Sequence, residues 1–405
     1  MRQPRCRETI GNRQGRVVLW LLAGCGLLSA AGLWLVADSG GEPFPQEVTP
    51  LDLERAMREF RFLQRREPDR TELLQLLAEN ALRQNRFPAA LACLALIPAT
   101  DSRTGAAARR LETQICLRAG LAARLEAAAK DLLQIAQSGS AVPPADLQMV
   151  EEMLVFLLSL EDRLEERQQL LNAMAARRSL DALLTKQLHF PALLASGTAQ
   201  QNQRLQEFLK QTPDDPQLVS AHVRYLLATG RAEDAETRAN ELLAAHPADL
   251  KALAVALECR FERQALTEFL MLLDAAPDFQ PGEPWLLTQM RAEGAIRAGD
   301  RARAKRCFEH LVSADPSNPL YLQALAGVME TDTPEGAAER SRLLQRALLL
   351  AELRLTLAES HTDVGALRAI AGAARKLGMS RAVQDFERLA TAAADSRGLQ
   401  RRSEQ

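Results

Sequence analysis

Two stretches decide the fold: ATGRAEDAETRANELLAAHP at residues 228–247 and RAGDRARAKRCFEHLVSADP at residues 297–316. Each places a Gly between two apolar-periodic runs, starts the second run at once, and closes on Pro. The small and apolar residues recur at spacings of three and four, which is helical periodicity, so each stretch predicts a turn followed by an amphipathic helix. Gly230 and Gly299, Ala235 and Ala304, and Pro247 and Pro316 all stand 69 residues apart. That interval is two units of roughly 34 residues, a period that implies stacked helix pairs. Alignment on Pro277 between them puts Ala265 and Phe269 at the equivalent of Ala304 and Phe308, with Arg260 in the place of Gly. This middle unit is four residues short, so its first helix is expected to be truncated.

The three recurring positions have separate physical reasons. Gly adopts the left-handed conformation that turns one helix into the next. Ala lets two helix backbones approach, and Pro ends one pair and starts another. Gly at the turn, a small residue early in the second helix, an aromatic four later (Phe269 and Phe308, with Ala239 in the first unit) and a terminal Pro resemble the tetratricopeptide repeat (TPR). The resemblance implies an all-α fold, a right-handed α-solenoid of antiparallel helix pairs whose concave face, lined by the first helix of each pair, binds proteins or peptides. The groove positions it implies are Gln75, Glu79, Arg83, Ser220, Arg224, Gln289, Glu293 and Gln323. Mixed Gln, Glu and Arg suit a polar segment better than a greasy one.

The repeats are clearest over residues 213–350 and degenerate elsewhere. From Leu51 on, apolar residues recur at three and four, as in Leu73, Leu74, Leu76, Leu77 and Ala81, with no alternating β-branched run. Residues 51–67, with Ala56, Phe60 and Pro68 at the same offsets, read as a second helix without its first. Residues 71–94 read as a unit with Asn85 at the turn and Ala90 as the small residue. Helical hairpins without the signature fill 101–212, so 51–212 is taken as one TPR-like region. Its stretch MVEEMLVFLLSL at 149–160 is too short to span a bilayer and reads as a buried helix, with a partner-binding face as the alternative. A unit at 319–350 uses Ala338, a hairpin at 351–395 turns at Gly378, and 396–405 is expected to be a disordered tail.

The amino terminus predicts an address. Residues 17–37 are uncharged, and as a helix would extend about 31 Å, the thickness of a bilayer core. Residues 1–16 carry Arg2, Arg5, Arg7, Arg13 and Arg16 against Glu8, whereas Asp38, Glu42 and Glu47 follow the segment. The positive-inside rule then places the tail in the cytoplasm and the body outside, as in a single-pass protein of a bacterial inner membrane. Residues 38–50, rich in Gly and Pro, form the linker. Two alternatives stand: cleavage after Ser29-Ala30-Ala31, and a lipoprotein through Cys25 in LAGC.

Chemistry is weakly signalled. Lys and Arg number 50 against 52 acids, a net charge of −2, which leaves no basic field for a nucleic-acid backbone. The five His lie at least 24 residues apart and no CxxC occurs, so no local metal site is expected. Cys93 and Cys116 are expected as buried thiols, a bridge between them being the alternative. No phosphate-binding loop, dinucleotide fingerprint or nucleophile elbow is present. Glu151-Glu152 and Glu165-Glu166 are adjacent acids that do not face each other on a helix, Asp214-Asp215 read as helix-start residues, and His246 as a helix end. The expectation is a membrane-tethered protein-binding scaffold of the bacterial envelope, with no cofactor, no small-molecule substrate and no enzymatic activity. The alternative is an accessory subunit of a membrane enzyme or secretion complex.

Overall fold

The structure, a computed structural model, describes residues 70–403 except 102–103, 140–141, 192–198, 281, 331–332 and 359–362. The chain divides into Met1–Arg65 and Arg66–Gln405, and every described residue belongs to the second unit. The expected tail, anchor and linker, and the half-unit at 51–67, lie outside the described residues. None of the described helices is long and apolar enough to cross a membrane.

Eighteen α-helices and no strand occur among the described residues. The first eight are α1 (Arg70–Arg83), α2 (Phe87–Ala95), α3 (Gly105–Ala119), α4 (Ala122–Gln137), α5 (Pro144–Leu160), α6 (Leu164–Arg177), α7 (Ala182–His189) and α8 (Ala199–Gln211). The repeat region contains α9 (Pro216–Ala228), α10 (Ala232–Ala245), α11 (Leu250–Glu262), α12 (Leu266–Asp274), α13 (Trp285–Arg297), α14 (Arg301–Ala314), α15 (Pro319–Val328) and α16 (Pro334–Ala358). The chain ends in α17 (Val364–Lys376) and α18 (Ser380–Ser403). Successive helices pack in pairs, α1 on α2, α3 on α4, α9 on α10, α13 on α14, α15 on α16 and α17 on α18. Short connections make paired neighbours antiparallel.

Local chemistry fixes the ends of these helices. Asp181, Asp215, Asp249, Asp300, Asn318 and Asp363 each accept a hydrogen bond from a backbone N–H of the first turn, which satisfies donors a helix leaves open. Left-handed residues make the turns: Asn85, Gly120, Asp162, Gly230, Gln264, Gly299 and Gly378. Gly230, Gln264 and Gly299 follow at intervals of 34 and 35, and Asn85 and Gly120 are also 35 apart. The expected turn at Asn85 is therefore present, and the period extends into the region that lacked a signature.

The middle unit corrects one expectation. Gln264, at φ 57°, makes its turn, while Arg260 lies inside α11. The first helix α11 has 13 residues, the same as α9 and α13; the shortened one is the second helix, α12, with 9 residues against 14 in α10 and α14. Alignment on Pro277 had moved the deletion into the wrong helix. In the corrected register Phe269, fully buried, occupies the place of Ala235 and Ala304. The larger ring is accommodated because Gly294 faces it, where a Cβ would collide with Leu273 and touch Phe269. The loop replacing the lost turn is pinned by the buried pair Arg291 and Glu283, Nε to Oε1 3.0 Å, and by Arg291 Nη2 donating to the Pro277 carbonyl at 2.6 Å.

Elsewhere Ala235, Ala239, Ala304 and Phe308 are buried between helices, as their spacing predicted. Ala338 is exposed instead; α16 enters the core through Leu343, Ala347, Leu350, Leu353 and Leu357. This helix runs unbroken from Pro334 to Ala358, across the expected division at 350. Helix α18 continues to Ser403, so the stretch taken as a disordered tail is helical through most of its length. Residues 149–160 form the interior of α5, with Val150, Met153, Leu154, Val155, Leu157, Leu158 and Leu160 buried.

The array also folds back on itself. Helix α7 packs on α18. Phe190, just after α7, is buried in one core with residues of α13 to α18, and its ring stacks on Phe386 at 6.1 Å between centroids. His189 Nε2 lies 2.9 Å from Asp385 Oδ2 at the same seam. The segment between α5 and α8 thus lies against downstream helices instead of occupying one step of a linear row.

Candidate functional site: the inner face of the repeats

The first helices α9, α11 and α13 lie side by side. Their faces, with the start of α15 and part of α16, form one wall of a cavity of 1110 Å³; residues 159–166 at the junction of α5 and α6 form another. Polar Gln217, Gln289 and Gln323 share this surface with apolar Leu205, Val255 and Leu286. The space is open and of a size that takes an extended segment or a helix end.

The junction of α5 and α6 reaches across three first helices. Asp162, held left-handed at φ 55°, puts its carboxylate on the Arg224 guanidinium of α9. Arg224 Nε also donates to Glu258 Oε2 of α11 at 3.0 Å. Lys251 Nζ of α11 donates to the Glu161 carbonyl and to Gln217 Oε1, both at 2.8 Å. The backbone N–H of Trp285, which opens α13, donates to Glu165 Oε1 at 2.6 Å. Behind the junction, Arg163 binds Glu126, Glu161 and Glu166, tying α4 to the turn.

Desolvation governs the titration of this network. Burial pushes the Glu161 carboxyl up and the Lys251 ammonium down, each opposed by the charge of the other. Burial also raises Glu126, but the Arg163 guanidinium and the Lys130 ammonium bound to it bring it down to about 2. Buried Arg167 falls to about 10 through desolvation, with Asp315 opposing. The thiols of Cys93, Cys116 and Cys259 are free, and burial raises them to about 11, 12 and 12, which leaves them protonated and unreactive at neutral pH.

The expected groove residues divide among several places. Arg224, Gln289 and Gln323 line the cavity together. Ser220 is buried and donates its hydroxyl to the Pro216 carbonyl, so it presents nothing to a partner. Glu293 is bonded to Arg297 within α13. Gln75, bonded to Glu79, and exposed Arg83 belong to α1, away from this cavity. The offsets are nonetheless regular: Gln75, Ser220 and Gln289 stand ten residues before their turn residues, and Glu79, Arg224 and Glu293 six before.

Glu258 is the member that sequence reasoning missed, six residues before Gln264 and 34 after Arg224. The interval would have found it had Gln264 been recognised as a turn residue. Asp162, Glu165 and Lys251 carried no such signal, because their partners lie in other repeats. Of the adjacent acids, Glu151 binds Arg177 and Arg178, Glu166 binds Arg163, and Asp215 caps α9, as a helix-start residue should. His246 ends α10. Among the described residues no three His, Cys, Asp or Glu side chains are grouped to hold a metal ion.

No family model and no curated protein matches the chain. Solved structures do. The Cut9–Hcn1 hetero-tetramer of the APC/C is 14% identical over 85% of this chain and 72% of the other, at a TM-score of 0.34. A tetratricopeptide repeat protein from Parabacteroides merdae is 12% identical over 80% of this chain and 99% of the other, at 0.30. Yeast Tom70 is 10% identical over 82% of this chain and 96% of the other, also at 0.30. The TPR-like character rests on the chain's own helix pairs and their period.

Proposed function

We propose that the protein is a membrane-tethered scaffold of the bacterial envelope that holds partner proteins on the inner face of its helix pairs. The observation that carries this reading is the open cavity of 1110 Å³ along α9, α11, α13 and α15, where the amides of Gln217, Gln289 and Gln323 share the surface with apolar Leu205, Val255 and Leu286. Such a surface recognises a backbone and a few side chains of a protein segment. Residues 17–37 anchor the chain with the tail inside and the body outside, and tethering raises the local concentration of whatever the body holds. Lipidation at Cys25 would give the same tether from another lipid attachment.

The test is in-cell photocrosslinking from Gln289 and Gln323 in the full-length protein, with mass spectrometry of the captured partners. A version lacking residues 1–40 serves as control. Capture of a few envelope proteins, lost with the anchor, is the expected result. Capture of cytoplasmic proteins alone overturns the orientation, and one stoichiometric enzyme would make the chain an accessory subunit. Intact-mass analysis tests the anchor: a mature protein starting at residue 25 is a lipoprotein, and one starting at residue 32 has lost its anchor.

A further inference from the structure

The inner face already has an occupant. Three consecutive first helices each hold one group of the α5–α6 junction: Arg224 holds the Asp162 carboxylate, Lys251 the Glu161 carbonyl, and the Trp285 N–H the Glu165 carboxylate. A partner segment crossing the same helices would meet the same three donors. The contacts are polar and bordered by an open cavity, and Arg224 keeps 37% of its side chain exposed. Arg224 is the solvent-screened end of the three holds, which are otherwise part-buried. Leu164 adds an apolar side chain to this segment and lines the cavity.

We infer that the segment Glu161–Glu166 is an autoinhibitory strap, and that the inner face admits a partner whose helix start presents Asp, then Glu three residues on, in its place. The inference rests on the inner face being the partner surface. Because the strap belongs to the same chain, it competes at a high effective concentration. A partner displaces it only by adding contacts in the part of the cavity the strap leaves open, at Tyr225, Gln289, Gln323 and Arg354. The strap thereby rejects short acidic segments that match its own contacts and nothing more.

The probe is a labelled peptide of the strap itself, LLSLEDRLEERQQ, residues 157–169, followed by fluorescence anisotropy against the full-length chain. The double variant Asp162→Ala/Glu165→Ala empties two of the three holds and is expected to bind the peptide at least tenfold more tightly than the unmodified protein. A peptide carrying Ala at both of those positions is expected not to bind. Equal affinity of both proteins for the probe, or no binding by a variant that still melts cooperatively, overturns the inference.

A variant that fails to fold leaves a second measurement on the unmodified chain. The Trp285 amide, whose acceptor belongs to the strap, should exchange with solvent at least tenfold faster than the first-turn amides of Lys251 and Leu320, whose acceptors are the caps Asp249 and Asn318 of their own helices. Exchange at a common rate for all three overturns the inference. The broader reading fails separately, when Gln289 and Gln323 capture no protein in cells whatever the peptide does.

Discussion

Phe190 stacks on Phe386 with 6.1 Å between ring centroids and 23° between planes, joining the middle of the chain to its last helix. A repeat array built only of nearest-neighbour contacts gains stability unit by unit. This contact instead closes α7 onto α18, and both rings are fully buried in the core they share with α13 to α17. Truncation of a buried Phe leaves a cavity costing about 3–5 kcal/mol. Phe386→Ala should lower stability by that amount in urea unfolding, and should loosen α7 as well as α18 in hydrogen exchange. Loss of protection confined to α18 would show that the seam is not cooperative.

The small residues at the pair interfaces make opposite predictions from the exposed one. Ala304 is fully buried, so Ala304→Phe should overpack α13 against α14 and cost roughly 1–3 kcal/mol. Ala338 lies exposed on α16, and Ala338→Phe should change stability by no more than about 0.5 kcal/mol. Melting curves of the two variants decide the register; equal effects would place Ala338 in the interface after all.

The turn residues test the corrected alignment. Gly299 has φ 75° and open space where a Cβ would be, so Gly299→Ala carries only the conformational cost of a left-handed residue, about 1–2 kcal/mol. Gln264 already bears that cost at φ 57°. Gln264→Gly should therefore be neutral or stabilising by up to about 1 kcal/mol in denaturant titration, and a clear destabilisation would remove Gln264 from the turn.

Acid should loosen the link between α4 and the strap. The Glu126 carboxyl stands at about 2 in the folded chain against an ordinary 4.5, so the folded state binds its proton less readily than the unfolded state. The sign follows: its contribution is complete above pH 4.5 and is lost as pH falls towards 2. Glu126→Gln should lose part of the stability at neutral pH and show a flatter stability profile between these limits. An unchanged profile would dissociate the carboxylate from Arg163.

The loop after the short helix α12 depends on one buried ion pair. Arg291→Met leaves Glu283 enclosed without its cation, and breaking a buried pair by removing one partner costs about 3–5 kcal/mol. The double variant Arg291→Met/Glu283→Leu should recover much of the loss, because no uncompensated charge remains. Equal instability of single and double variants, measured by urea unfolding, would locate the cost in packing instead of charge.

The sequence by itself determined that the described residues are helical, that they pair, and that the period is about 34 residues. Gly230, Gly299, Ala235 and Ala304 were legible because each acts within its own pair, through a backbone angle or a close approach set by residues a few positions away. The capping Asp215 and the buried run of α5 were legible for the same reason. The deletion in α12 was misplaced because Gln264 carries no mark of the left-handed turn it makes, whereas Gly does. Only the tertiary structure decided that the inner face is crossed by Glu161–Glu166, that Arg224 is engaged by Asp162 and Glu258, and that Phe190 meets Phe386. Those contacts join residues tens to hundreds of positions apart, and their geometry accumulates from the small rotation between successive pairs, which no local spacing encodes.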